Sequence, residues 1–388
     1  MNHKASPLKN GYLIINKNFN FIIRIIDKIG YFLFKFKNKK FEFKKADNIL
    51  LVIYGGLGDG FLFTTVLKSL RENFSKSNID ILANKDIAKI LENNPYIDDV
   101  LISDIKWGYK YPLSIFNIIK ILKHNKTRYD LAVCLRAYFD NGILPVFLSA
   151  KVDNIIGYKT GGFGFLLDKT VSWQNGIHET NHYRDLIKQI CSKCSLDKPE
   201  LFYDKEKIKA ELSDILHKSE ISESDKFIIL HPTSKDERKS LSYKQSIELI
   251  EKLLNKTGYK ILVTGTDLDL SYFKKINIIN KRLIGLHGKI NIMQLLELLK
   301  ISKFIITVDT FIAHLAGISG TKTVVFWSGV TDIRQWGPLG DNLQFISPEE
   351  NMCGKWQECH RWCGSRNCMD FNMEDSIKII LEYLYCKI

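Results

Sequence analysis

The apolar stretch near the start of the chain, FNFIIRIIDKIGYFLFKFKNKKFEFKK, lacks the uninterrupted run of about 18 apolar residues that a membrane-spanning helix needs. Arg24, Lys28, Lys35, Lys37, Lys39 and Lys40 interrupt it. The same cations, with no small-residue cleavage site following cleanly, argue against a secretory signal. Cysteine is also too sparse for a disulfide scaffold: eight in 388 residues suit a reducing cytoplasm. No short repeat and no low-complexity tract occurs beyond the Lys-rich arm itself. The glycine-rich turn GGLGDG at 55–60 lacks the G-x-G-x-x-G spacing of a dinucleotide site, and no acidic ribose ligand follows a second strand in register, which argues against a nicotinamide oxidoreductase.

What is present is ordinary for a globular enzyme: 45% hydrophobic and 26% charged residues, in a chain long enough for two domains. The net charge of +13 is uneven. Residues 1–47 carry eleven Lys or Arg against Asp27, Glu42 and Asp47, leaving +8 there and +5 elsewhere. Apolar clusters beside repeated cations suit an anionic membrane surface, with an ordinary helix packed on its own protein as the alternative. Because the excess sits in one apolar-rich arm and not on a stacking platform, nucleic acid is not the expected partner.

From Asn48 the pattern alternates. NILLVIY, IDILA, YDLAVCL and NIIGY read as buried strands, separated by apolar-periodic helices such as FLFTTVLKSLRENF and IFNIIKILKH. After the charged stretch DKEKIKAELSDILHKSEISESDK, a domain link followed by a helix around 205–218, the series restarts with FIILHP, YKILVTG, KFIITVD and KTVVFW. Two Rossmann-like α/β halves in tandem, each with a mostly parallel sheet, follow. The expected boundaries are a basic arm at 1–47, a first domain at 48–204, a second at 205–370, and a C-terminal helix at 371–388.

Three strand ends carry candidate chemistry. In GGLGDG, Asp59 follows a buried strand, where open parallel sheets expose their ligand crevice. Its negative charge would repel a pyrophosphate, so it reads as a base, or alternatively as a helix-capping carboxylate. At the end of FIILHP, Thr233 and Ser234 precede Lys235, Arg238 and Lys239, hydroxyls and cations that can hold phosphate oxygens or form a plain solvated loop. At Asp309-Thr310-Phe311-Ile312-Ala313-His314, free amides at a helix start can bind an anion, although Asp309 can also be an N-cap and His314 a core histidine. One base in the first half and one anion site in the second match group transfer from a nucleotide diphosphate.

The combination resembles glycosyltransferase family nine, the heptosyltransferases. The likeness runs from ILLVIYGGLGDGFLFTTVLKSLRENF through NNPYIDDV, YDLAVCL, IIGY and HPTS to VDTFIAHLAGISGTKTVVFWSGVTDIRQWGPLG. The resemblance implies the GT-B fold, two Rossmann-like domains facing across a cleft, and an inverting transfer from a nucleotide-diphosphate sugar with no metal at the reaction centre. It implies Asp59 as general base, with Gly58, Gly60 and Arg136 on the acceptor side. Thr233, Ser234, Lys239 and the amides of Thr310 and Phe311 would meet the diphosphate, Asp267 the ribose, and Asp309 and His314 the donor sugar, its phosphates or their loop. By resemblance the donor is ADP-heptose and the acceptor a lipid-linked core oligosaccharide, with the enzyme peripheral on the inner face of the cytoplasmic membrane. Departures from the family pattern are Phe311 where glycine is common, Arg136-Ala137 where glutamine and glycine are common, and a missing tryptophan after Lys239. Another sugar nucleotide, an epimerase, or a non-catalytic membrane-surface protein are the alternatives.

Cys353, Cys359, Cys363 and Cys368, with His360 among them, supply enough ligands for a structural zinc, in an unfamiliar spacing; buried free thiols are the alternative. Cys191 and Cys194, in a segment that reads as helical, look like packing residues. MEDSIKIILEYLY reads as an amphipathic helix that, by the GT-B likeness, crosses back to the first domain.

Overall fold

The computed structural model describes residues 11–13, 17–34, 46–103, 113–138, 142–222, 224–348 and 367–386. The chain divides into two compact units, Ser6–Phe202 and Tyr203–Ile388.

The first unit is built on β1 (Asn48–Ile53), β2 (Asn78–Ala83), β3 (Asp99–Ile102), β4 (Tyr129–Cys134), β5 (Val152–Tyr158) and β6 (Lys169–Val171). They lie in the order β3-β2-β1-β4-β5-β6, and every pairing is parallel. A parallel sheet covered on both faces needs continuous apolar strands, and β1 supplies one, with Ile49 through Ile53 wholly buried. Leu50, Val52 and Tyr54 share a core with Leu82, Ile118, Leu122 and Ala132. The helix Lys17–Leu33 of the basic arm packs on this unit, where Leu13 also donates its amide to the Thr160 carbonyl at 2.8 Å.

The second unit repeats the plan. Its strands are β7 (Phe227–His231), β8 (Lys260–Val263), β9 (Leu283–Gly285), β10 (Phe304–Val308), β11 (Thr323–Phe326) and β12 (Leu343–Ile346). The order is β12-β11-β10-β7-β8-β9, again all parallel. In both sheets the first three strands step one way and the fourth crosses to the other side of the first. Each unit therefore has one point where the connections diverge, between β1 and β4 and between β7 and β10, and in open α/β sheets this is where a crevice forms for ligands.

The C-terminal helix Met373–Tyr385 packs into the core of the second unit. Met373, Ile377, Ile380 and Leu384 lie in one core with Ile228, Leu249, Leu253 and Ile306. The apolar spacing expected of this helix is present, but the surface it covers is the second sheet and the helix Tyr243–Lys256. Cys191 and Cys194 fall just beyond the helix Glu179–Ile187, not within a helix. Cys191 is buried, and burial pushes its thiol up to about 12, as suits a packing residue. Among the described residues no helix is long and apolar enough to cross a membrane.

Candidate active site

At the divergence point of the first unit, β1 turns through Tyr54, Gly55 and Gly56 into the helix Leu57–Phe63. The turn lets the Asp59 carboxylate fold back over it. A Cβ on Gly55 would lie 2.5 Å from Asp59 Oδ2, so this approach requires glycine. Asp59 Oδ2 accepts the Gly56 amide at 2.7 Å. Its other oxygen, Oδ1, pairs with the Arg136 guanidinium, delivered two residues past the end of neighbouring β4. Both partners are largely out of water, at 15% and 7% side-chain exposure. Capping is thus one part of what Asp59 does, and pairing with Arg136 is the other. Arg136, expected toward the acceptor, has its guanidinium buried on Asp59 and 5.3 Å over the Tyr138 ring. Gly60 is buried where a Cβ would lie 3.1 Å from Ile87, which sets the close packing of this helix; Gly58 is half-buried.

Behind this pair lies a buried polar group that sequence reasoning missed. Glu179 and His182, each 1% exposed, pair at 3.0 Å. His182 Nε2 lies 2.9 Å from the Gln174 carbonyl, and its ring stacks on Trp173 at 5.1 Å. Glu179 and Tyr183 face both Asp59 and Arg136 electrostatically. Burial pushes the Asp59 carboxyl up, with Glu179 adding to the rise and Arg136 and the Gly56 amide opposing it. A carboxylate of enhanced proton affinity at a strand end can take a proton from a hydroxyl. Each of its oxygens has two lone pairs, so existing partners do not exhaust it.

The divergence point of the second unit gathers the predicted donor residues. Thr233 and Ser234 leave β7, Ser234 with its amide on Ser240 Oγ at 2.8 Å. Lys239, in the short turn Glu237–Lys239, reaches Asp309 Oδ2 at 3.0 Å. Ser328 donates to the same oxygen at 3.3 Å, and the Thr331 hydroxyl also donates to it. Asp309 therefore joins the ends of β7, β10 and β11. It is not the N-cap of the following helix, Phe311–Ser319; that position is Thr310. Phe311, half-buried, opens the helix, and His314 is buried one turn along. Lys235 is exposed, whereas Arg238 is held by Asp236 through bonds of 2.8 and 2.5 Å.

Asp267, expected at the ribose, is exposed at the end of β8, its carboxylate against Gly288. Asp269, two residues on, turns inward: it accepts the Thr266 amide and hydroxyl at 2.7 Å each and faces His231 and Thr233. His231 contacts Thr264 Oγ1 at 2.9 Å through Nδ1, and burial pushes its pKa down to about 4. Which acid in TDLD turns inward depends on the phase of a short turn, which apolar periodicity does not encode.

Of the cysteine cluster, Cys353, Cys359 and Cys363 lie outside the described residues. Cys368 is half-buried, in the turn Asn367–Met369, and its carbonyl accepts the Gly329 amide at 3.3 Å.

Residues 115–361 match the family model for glycosyltransferase family 9 (heptosyltransferase). The chain belongs to glycosyltransferase family 9. It is accordingly a glycosyltransferase. Among curated relatives, lipopolysaccharide heptosyltransferase 3 of Escherichia coli K12 is 24% identical over 307 residues, covering 74% of this chain and 83% of the relative. Solved structures share the GT-B type fold. The family 9 glycosyl transferase of Veillonella parvula matches with a TM-score of 0.72 at 17% identity, over 88% of this chain and 99% of that one. The E. coli ADP-heptose LPS heptosyltransferase II matches at 0.65 and 17% identity, over 87% and 98%.

Proposed function

We propose that this enzyme moves a heptose from ADP-heptose onto a hydroxyl of a lipopolysaccharide-core or related lipid-linked glycan, in the cytoplasm, with inversion. The observation that carries the reading is that each divergence point holds the chemistry one half of such a transfer needs. The first holds a desolvated carboxylate, Asp59, and the second a half-buried lysine, Lys239, beside hydroxyls and helix-start amides. The names of the relatives, which specify heptosyl transfer and ADP-heptose, favour this donor.

In this reading the acceptor oxygen attacks the anomeric carbon while its proton passes to Asp59. The bond from that carbon to the diphosphate oxygen breaks on the opposite side, and ADP leaves. Charge developing on the diphosphate is met by Lys239, the hydroxyls of Thr233 and Ser234, and the amides of Thr310 and Phe311. Asp309 orients Lys239 for that task. Asp267 binds the ribose, and His314 braces the loop below the phosphates. No metal is required at the reaction centre.

The test is ADP release from ADP-heptose in the presence and absence of a core-glycan acceptor. Asp59→Asn should lower acceptor-dependent turnover by about 100-fold or more and leave donor affinity, measured by calorimetry, unchanged. Normal turnover in that variant would remove Asp59 from the mechanism. Binding of a different sugar nucleotide in place of ADP-heptose would overturn the donor assignment.

A further inference from the structure

The helix Lys17–Leu33 turns the wrong face inward for an ordinary surface helix. Its buried stripe consists of Asn20, Ile23, Asp27 and Gly30, spaced three and four apart. The contacts explain the choice. A Cβ on Gly30 would lie 2.4 Å from the Phe165 ring, so glycine permits close approach. Asp27 accepts the Tyr12 hydroxyl at 2.8 Å and the Phe163 amide at 2.8 Å. Tyr31 and Phe34 pack around the same Phe165 ring, with centroids at 6.1 and 5.4 Å. A narrow, partly polar seam therefore fastens the helix to the loop 159–167.

The opposite face is apolar and open. Phe21, Ile22, Ile25, Ile29, Phe32 and Leu33 are 45 to 77% exposed. At 3.6 residues per turn they occupy one arc of about 120°. Single exposed apolar residues are unremarkable, but a contiguous patch of branched and aromatic side chains marks an interaction site. Arg24 and Lys28 are exposed along one edge of this arc, and the only acid in the helix is Asp27, on the buried seam. The outward surface thus combines apolar bulk with charge of one sign, continuing the +8 of residues 1–47.

We infer that this face docks into the surface of an anionic lipid bilayer, with the helix lying in the membrane plane. Seventeen residues make a helix of about 26 Å, short of the roughly 30 Å hydrocarbon core. One side is already bound to protein through a buried carboxylate, so the helix rests at the interface and does not cross it. A bilayer surface satisfies apolar side chains and adjacent cations without matched shape or hydrogen bonds. The buried Asp27 seam fixes which face of the first unit meets the lipid. The inference does not depend on the donor or acceptor proposed above.

Vesicle flotation of the intact protein tests it, using phosphatidylcholine alone or mixed with phosphatidylglycerol, at low and high salt. Binding is expected only to the mixed vesicles and is weakened by salt. The triple variant Ile25→Gln/Ile29→Gln/Phe32→Gln should lose at least about tenfold in partitioning, with an unchanged melting temperature because these side chains are 45 to 77% exposed. Arg24→Gln/Lys28→Gln should lose about tenfold on mixed vesicles. Failure of the parent to float, or a triple variant that floats as well as the parent, overturns the inference. So does a triple variant that turns a dimer into a monomer in light scattering with flotation unchanged, which would make a second copy the occupant.

Discussion

Arg136 neutralises a carboxylate that the fold has removed from water, and removing one member of such a pair is far costlier than the pair is worth. Arg136→Met should therefore destabilise the first unit by roughly 3 kcal/mol, read from the denaturant midpoint. It should also leave a kinetic signature that a purely structural role would not. Arg136 opposes the burial that raises the Asp59 pKa, and Glu179 and Tyr183 are the other groups facing it. Losing the cation raises that pKa further, so the acid-side limb of the kcat/KM profile, where the base must be ionised, should move to higher pH. Arg136→Lys should move it part of the way back. A limb that stays in place would mean Asp59 is not the titrating base. Asp59 was legible because a glycine turn after a buried strand marks a crevice in any open parallel sheet. Glu179 and His182 were not, because polar residues within a helix usually face solvent and only the packing of Trp173 and Tyr158 around them shows otherwise.

Elements that bury both faces were the ones visible in advance. The eight strands read from apolar runs are the four inner members of each sheet. The unread strands, β3, β6, β9 and β12, are the others; they run three or four residues and are mostly half-exposed. An edge strand needs only one apolar side and little length, so it leaves no periodic signal. Some helix starts are fixed by their own side chains: Ser242 with Gln245 and Asn291 with Gln294 form reciprocal capping boxes. The helix Phe311–Ser319 has no such side-chain cap. It is held instead by backbone approach: a Cβ on Gly317 would lie 2.3 Å from the Leu339 carbonyl oxygen. Gly317→Ala should therefore push the helix away from the 338–340 loop, costing about 1–3 kcal/mol as overpacking does. Because the Thr310 and Phe311 amides ride on this helix, donor affinity should fall as well. Calorimetric titration alongside denaturation checks both effects, and a variant with parental stability would mean that the loop yields freely.

Across the whole molecule the two units carry buried histidines of opposite sign. In the second, burial pushes His231 down to about 4 and lowers His287 as well, with Asp269 only partly offsetting it. Between pH 6.5 and 4 the unfolded chain binds protons there that the folded unit refuses, so stability falls with pH through that window. For His231 the full span is roughly 3 kcal/mol. In the first unit burial opposes charging of His182, but Glu179 and the Gln174 carbonyl outweigh it and raise the pKa. That contribution is present in full below the ordinary histidine value of 6.5 and is lost as pH rises through the raised one. Acidification from pH 7.5 to 5 should accordingly weaken the second unit relative to the first, and a scan that is a single transition at neutral pH should broaden or split. Hydrogen exchange read on peptides from β7 and β8 against β1 and β4 identifies which unit opens first. His231→Gln should narrow the gap by removing the larger of the two penalties. If the first unit opens earlier at pH 5, or the variant leaves the gap unchanged, His231 is not the group that couples acid to unfolding, and the lowered carboxylates Asp236 and Asp269, which act only below the ordinary aspartate range, would have to be tested at lower pH.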